Sequence, residues 1–167
     1  MIWFLSVPLL ALLALLQTTV FRQILFLDGS FDLLLVAMVC WSMLRPEEGL
    51  AWALLGGIFA DMFSGGPFGI TSIAYLLVAI CIGALHGRLW THSPLAVMAL
   101  ALFGTVIAHL ASVALLVLFG HALEVGYLLT YVTLPTAFLN TIASVPVYLL
   151  LRRLHFAGAR PLAREES

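Results

Sequence analysis

At 167 residues, 63% hydrophobic and only 9% charged, with a mean hydropathy of +1.16, the chain lies far from the roughly one-quarter charged composition of soluble domains. It reads as an all-α integral membrane protein, a single bundle over residues 1–153 followed by a short cytoplasmic tail, 154–167. That leaves no soluble domain to carry separate chemistry, and a net charge of −1 without any lysine leaves no patch for nucleic acid.

Apolar runs separated by short polar breaks predict six spans, at about residues 2–21, 31–44, 46–63, 68–85, 94–119 and 127–151. The first lacks a basic leader and a small-residue cleavage site, and is read as retained rather than removed. The second and third are short against the roughly 20 residues of a typical crossing and form a tight hairpin around Arg45 and Pro46. Glu47 and Glu48 then fall where the helix dipole favours negative charge, as helix caps at the membrane surface.

Within the third span and the turn after it, residues 56–69 read GGIFADMFSGGPFG. A carboxylate at membrane depth and a glycine-proline break both cost free energy unless compensated. Asp61 falls near the C-terminal end of its helix, where a negative charge opposes the dipole. The expected compensation is Arg22, which would pair with Asp61 or Asp32. Gly57, one turn before Asp61, permits close helix approach, while Gly65, Gly66 and Gly69 permit a tight reversal. Two readings stand side by side: a partner or ligand surface, and a structural turn locked by one carboxylate.

The fourth span carries Tyr75, Cys81 and Gly83, and its Gly83-to-Gly87 spacing reads as a small-residue helix exit more than as a dimerisation motif. Cys40 and Cys81 have no CxxC companion and read as packing residues, with neither disulfide nor metal expected. The fifth span bears a polar stripe of Thr105, His109 and Ser112, and the sixth a small or polar face of Thr133, Ala137, Asn140 and Ser144. Antiparallel neighbours with such stripes hydrogen-bond across their contact, and His109 and Asn140 sit at comparable depth. Interhelical bonding is the plain reading, a proton relay or ligand pocket the sharper one. Pro135 and Pro146 predict kinks in the sixth span.

If the spans alternate, Arg45, Arg88, Arg152, Arg153, Arg160 and Arg164 share one side, and only Arg22 lies on the other. The positive-inside rule then puts both termini in the cytoplasm. The outer side, with Asp28, Asp32, Asp61 and Glu124, is acidic and suits a basic partner or an internal ion pair.

The order of these features resembles the MreD family, the small membrane subunit of the bacterial rod-shape, or elongation, machinery. The segments that carry the resemblance are Leu16-Gln17-Thr18-Thr19, then Gly29-Ser30-Phe31-Asp32-Leu33-Leu34-Leu35, then Gly56-Gly57-Ile58-Phe59-Ala60-Asp61 leading into Ser64-Gly65-Gly66-Pro67-Phe68-Gly69, with Tyr75 and Gly83 beyond. Family members usually have proline before the aspartate found here as Asp32, where this chain has Phe31.

The resemblance implies a non-enzymatic subunit of the bacterial inner membrane, without catalytic residue or cofactor. It would associate with MreC, with RodA and its class B penicillin-binding protein, and with MreB filaments, in support of peptidoglycan synthesis and rod shape. It also implies a six-helix fold similar to the substrate-binding subunits of energy-coupling-factor transporters. A vitamin-binding subunit is therefore the alternative, recognisable by a cavity lined by groups such as Trp3, Tyr75, Tyr131 and Asn140. An intramembrane enzyme is disfavoured, since Asp61 and His109 are lone candidates on different helices and neither HExxH nor GxSxG occurs.

Overall fold

The computed structural model describes residues 3–19, 28–85 and 93–158. The chain is all-helical over these residues. Helix α1 covers Trp3–Thr19, α2 Leu33–Leu44, α3 Gly49–Ser64, α4 Ile70–Leu85 and α5 Pro94–Leu118. The last helix is composite: a single turn, α6, Val125–Tyr127, runs through a π-helical segment, Leu128–Thr133, into α7, Leu134–Gly158. α7 thus carries helix past Arg153 into what the sequence marks as a tail.

Two helical stretches are long and apolar enough to cross a bilayer, Pro94–Leu118 and Val125–Leu154, and shorter apolar helices cover Val7–Thr19, Leu33–Leu44 and Ile70–Leu85. The bundle is organised around α2. Every residue from Leu33 to Met43 is buried, because α1, α3, α4, α5 and α7 all pack on it. A helix apolar on all faces belongs at the centre of a bundle, and α2 has no polar stripe to present elsewhere. Between helices in lipid the drive is close packing and hydrogen bonding rather than escape from water.

Small residues set the approach of neighbours. A Cβ on Gly57 would collide with the Ser72 backbone, and one on Gly104 would press Val78 and Val39 at 3.1 and 3.3 Å. Gly57 therefore fixes the α3–α4 crossing. α7 runs beside α2 in the same direction, with Asn140 at the level of Asp32 and Ser144 at the level of Cys40.

The two ends of the bundle differ in charge. At the end where α2 stops, Arg45 pairs with Glu47 at 2.9 Å and with Glu48 at 3.3 Å. Glu48 also accepts from the Trp41 indole N–H at 2.9 Å, and Trp41 stacks on Trp52 with ring centroids 4.5 Å apart. The expected capping by Glu47 and Glu48 takes a different form. Pro46–Glu48 is a 3-10 turn, and Glu48 makes no side-chain cap bond to α3. Its carboxylate is held by Arg45 and Trp41 instead, which suits an acid only 7% exposed.

Candidate functional site

At the opposite end, the polar residues singled out in the sequence form two clamps. The first is built by Asp61, 4% exposed and in the last turn of α3. Beyond it the chain turns at Gly65, φ +71°, which caps α3 in the left-handed conformation, and again at Gly69, φ +98°. These turns bring the N-terminus of α4 back onto the carboxylate. Asp61 Oδ2 accepts from the Gly69 N–H at 3.0 Å, the Ser72 N–H at 3.0 Å and the Ser72 hydroxyl at 2.6 Å, while Oδ1 accepts from the Thr71 N–H at 2.9 Å.

The orphan N–H groups of a helix N-terminus normally find a Ser, Thr, Asp or Asn at the cap position. Here the cap position holds glycine, and the acid is delivered from the preceding helix. The α4 dipole and its N–H groups thereby meet the compensation that Asp61 requires. Arg22, expected to provide it, lies outside the described residues. Gly57 and Gly65 each have a part in this clamp; Gly66 contributes a backbone N–H to the Ser64 hydroxyl at 3.3 Å.

The second clamp surrounds Asp32, the N-cap of α2. Its Oδ1 accepts from the Leu35 N–H at 3.1 Å, from Gln17 Nε2 at 3.2 Å and from the Tyr75 hydroxyl at 2.6 Å. Gln17 Oε1 takes the next free N–H of α2, that of Leu34, at 3.0 Å. The backbone N–H of Asp32 donates to Asn140 Oδ1 at 2.9 Å, and Asn140 Nδ2 donates to Thr105 Oγ1 at 3.0 Å. One aspartate thus ties α1, α2, α4 and, through Asn140, α5 and α7. Gln17 and Tyr75 entered the sequence reading only as parts of a motif or a span; their joint role needed the fold.

The segment before α2 is laid along the π-helical segment and α7 at alternate residues. The Asp28 N–H donates to the Tyr131 carbonyl at 3.2 Å, that of Ser30 to the Thr136 hydroxyl at 3.2 Å and that of Asp32 to Asn140. The Tyr131 carbonyl lies in the turn before Pro135, a residue with no N–H to give that turn. Gly29 permits the approach, since a Cβ there would stand 2.7 Å from Pro135 Cβ. The Tyr127 hydroxyl donates to Asp28 Oδ2.

The polar stripes of the last two long helices face each other, in a definite register. His109 Nδ1 lies 3.1 Å from Thr133 Oγ1, and Asn140 pairs with Thr105; His109 and Asn140 bond to different partners. Among the described residues, Tyr75, Tyr131 and Asn140 do not share a described cavity. Tyr75 borders an open cleft of about 290 Å³ that also touches Gln17, Asp32 and Thr71. Tyr131 is exposed and stacks on Tyr127 at 4.9 Å, Asn140 is fully buried within its own bonds, and the Trp3 side chain lies outside the described residues. Cys40 and Cys81 are free thiols. Among the described residues, no three His, Cys, Asp or Glu side chains converge as metal ligands.

These are the features of a helical membrane protein whose polar groups cap helices and join them. A family model described as rod shape-determining protein MreD matches residues 1–156. The chain belongs to that family and is a rod shape-determining membrane protein, in a family of structural, shape-determining proteins rather than of enzymes. No curated protein and no solved structure matches it.

Proposed function

We propose that the chain is a non-enzymatic, six-span inner-membrane subunit of the elongation complex, with both termini in the cytoplasm. It positions the peptidoglycan synthase, RodA with its class B penicillin-binding protein, through MreC or beside it, and reaches MreB on the cytoplasmic side. The observation that carries the reading is the use made of the intramembrane carboxylates. Asp61 accepts four hydrogen bonds from the N-terminal end of α4, and Asp32 joins five helices, two of them through Asn140. Such groups stiffen a bundle for contact with neighbours; a general acid or nucleophile needs a free lone pair beside a base. Family membership agrees.

The contact face in this reading is the end that carries Asp32, Asp61 and the α3–α4 turn. Phe68 and Met62, 69% and 63% exposed, project there. A photocrosslinker at Phe68 should capture MreC or the transpeptidase in cells, while the same probe at Phe103 on α5 should capture mainly lipid. Capture at Phe103 alone would place the interface on the other side of the bundle. A strain depleted of the protein should become round and regain rod shape on re-expression.

The alternative, a vitamin-binding transporter subunit similar to those of energy-coupling-factor systems, has the cleft beside Asp32 in its favour. At about 290 Å³ that cleft falls at the small end of ligand pockets, which span about 300–1,000 Å³ and enclose most of their ligand. A small molecule co-purifying in stoichiometric amount would decide for the transporter.

A further inference from the structure

The two clamps leave different residues of bonding capacity. Asp61 accepts on both oxygens. Asp32 accepts three hydrogen bonds, all on Oδ1. Among the described residues none donates to Asp32 Oδ2, and the described ion pairs all belong to Arg45 at the other end of the bundle. The carboxylate is held in one orientation by Gln17, Leu35 and Tyr75, half-buried, with one oxygen open and no ion-pair partner among the described residues.

That carboxylate borders the cleft of about 290 Å³ between the last turns of α1 and α3 and the first turns of α2 and α4. Ala14, Ala60 and Phe63 give the cleft apolar surface, while Gln17, Asp32 and Tyr75 give it polar groups. This pairing of surfaces fits one kind of occupant. Lysine and arginine lay their methylene stems on apolar surface and carry charge at the tip, and a charge-assisted bond to a fixed carboxylate is the strong kind. At about 30 Å³ per water, the cleft has the volume of roughly ten waters, enough for one such side chain.

We infer that this cleft receives a basic side chain from the extracytoplasmic segment of a partner subunit, paired with Oδ2 of Asp32. The inference rests on the subunit reading above and adds the chemistry of the contact. Asp61 is bonded on both oxygens and does not line the cleft, so among the described residues the carboxylate that faces a cation there is Asp32.

The test uses the full chain co-expressed with its partner subunits and solubilised mildly. Asp32→Asn keeps an oxygen for Gln17, Leu35 and Tyr75 but removes the charge. Partner retention should fall roughly tenfold to a hundredfold, and the loss of retention with added salt seen in the wild type should flatten. Ala60→Leu, which fills the cleft without touching the Asp32 bonds, should also lower retention while its melting temperature stays that of the wild type. A photocrosslinker at Phe63 should map to a partner peptide containing Lys or Arg.

Unchanged retention and salt dependence in both variants would overturn the inference and leave the subunit reading standing. So would Arg22→Gln reproducing the Asp32→Asn loss with no further effect in the double variant, because the chain would then supply its own cation. Capture of lipid or a small molecule at Phe63 would overturn it as well. Failure of the wild-type chain to retain any partner would overturn the subunit reading itself, and the inference with it.

Discussion

Replacing Asp61 by alanine removes four hydrogen bonds at once and leaves the N-terminus of α4 with three backbone N–H groups and the Ser72 hydroxyl to satisfy elsewhere. Losing an N-cap costs about 1 kcal/mol, and each buried donor left without a partner about 1–3 kcal/mol. Full addition would overshoot, because residues 62–68 beside the site are exposed and admit water to some of these donors. The expected cost is therefore about 2–4 kcal/mol. Asp61→Asn should cost less, about 1–2 kcal/mol. Its amide oxygen can serve the three donors now on Oδ2, but its NH₂ must then face the Thr71 N–H.

At about 2–4 °C per kcal/mol for a chain of this size, alanine should lower the melting temperature in detergent by roughly 4–16 °C. Intrinsic tryptophan fluorescence during heating is a suitable readout, since Trp52 is buried in the core. The order wild type, Asn, Ala is the critical result. A melting curve for Asp61→Ala that superposes on the wild type would refute the view that this carboxylate caps α4, and an Asn variant weaker than Ala would refute the assignment of bonds to its two oxygens.

Gly57→Ala places a methyl group against the Ser72 backbone and should cost about 1–3 kcal/mol as overpacking; equal stability of the alanine variant would show that α3 and α4 can separate freely. Asn140→Leu should cost about 1–2 kcal/mol by stranding the Asp32 N–H and taking from the Thr105 oxygen the donor it accepts, while the Thr105 hydroxyl keeps its bond to the Ala101 carbonyl; the loss should be visible as a lower melting temperature and faster amide exchange at Asp32. Pro135→Ala adds an N–H that lets the π-helical turn revert to α-helical register, in which residue 135 competes for the Tyr131 carbonyl, so exchange of the Asp28 amide should quicken. Tyr148→Phe should leave stability unchanged or raise it slightly, because the buried Tyr148 hydroxyl has no hydrogen-bond partner among the described residues.

Composition and the spacing of polar breaks were enough to expect helices close to those observed, because hydrophobic runs and Pro or Gly punctuation act locally. Arg45 and Pro46 mark the α2–α3 turn in both sequence and structure. The partner of Asp61 was not legible in the same way. Its ligands are backbone N–H groups, which no side-chain pattern advertises, and they meet the acid only through the positive φ of Gly65 and Gly69. One signal did exist: α4 opens on Phe68-Gly69-Ile70 with no capping side chain, while an acid stands eight residues upstream. Asn140 and Asp32 meet across 108 positions, a pairing that depends on the whole bundle. The register of His109 with Thr133 likewise depends on the π-helical turns before Pro135, which displace the residues ahead of it relative to a regular helix.

The unequal helix lengths have a consequence for the surrounding bilayer. At 1.5 Å per residue, the 16-residue helices α3 and α4 rise about 24 Å each, against about 37 Å for the 25 residues of α5, and α4 presents an exposed apolar stripe at Ile73, Leu77 and Ile80. In the six-span arrangement proposed above, hydrocarbon about 30 Å thick would have to thin by several ångströms to meet that flank, at a fraction of a kcal/mol for each ångström. A neighbouring helix seated against α3 and α4 would relieve the distortion, so hydrophobic mismatch alone biases assembly toward the short-helix flank, before any side chain on the partner is recognised.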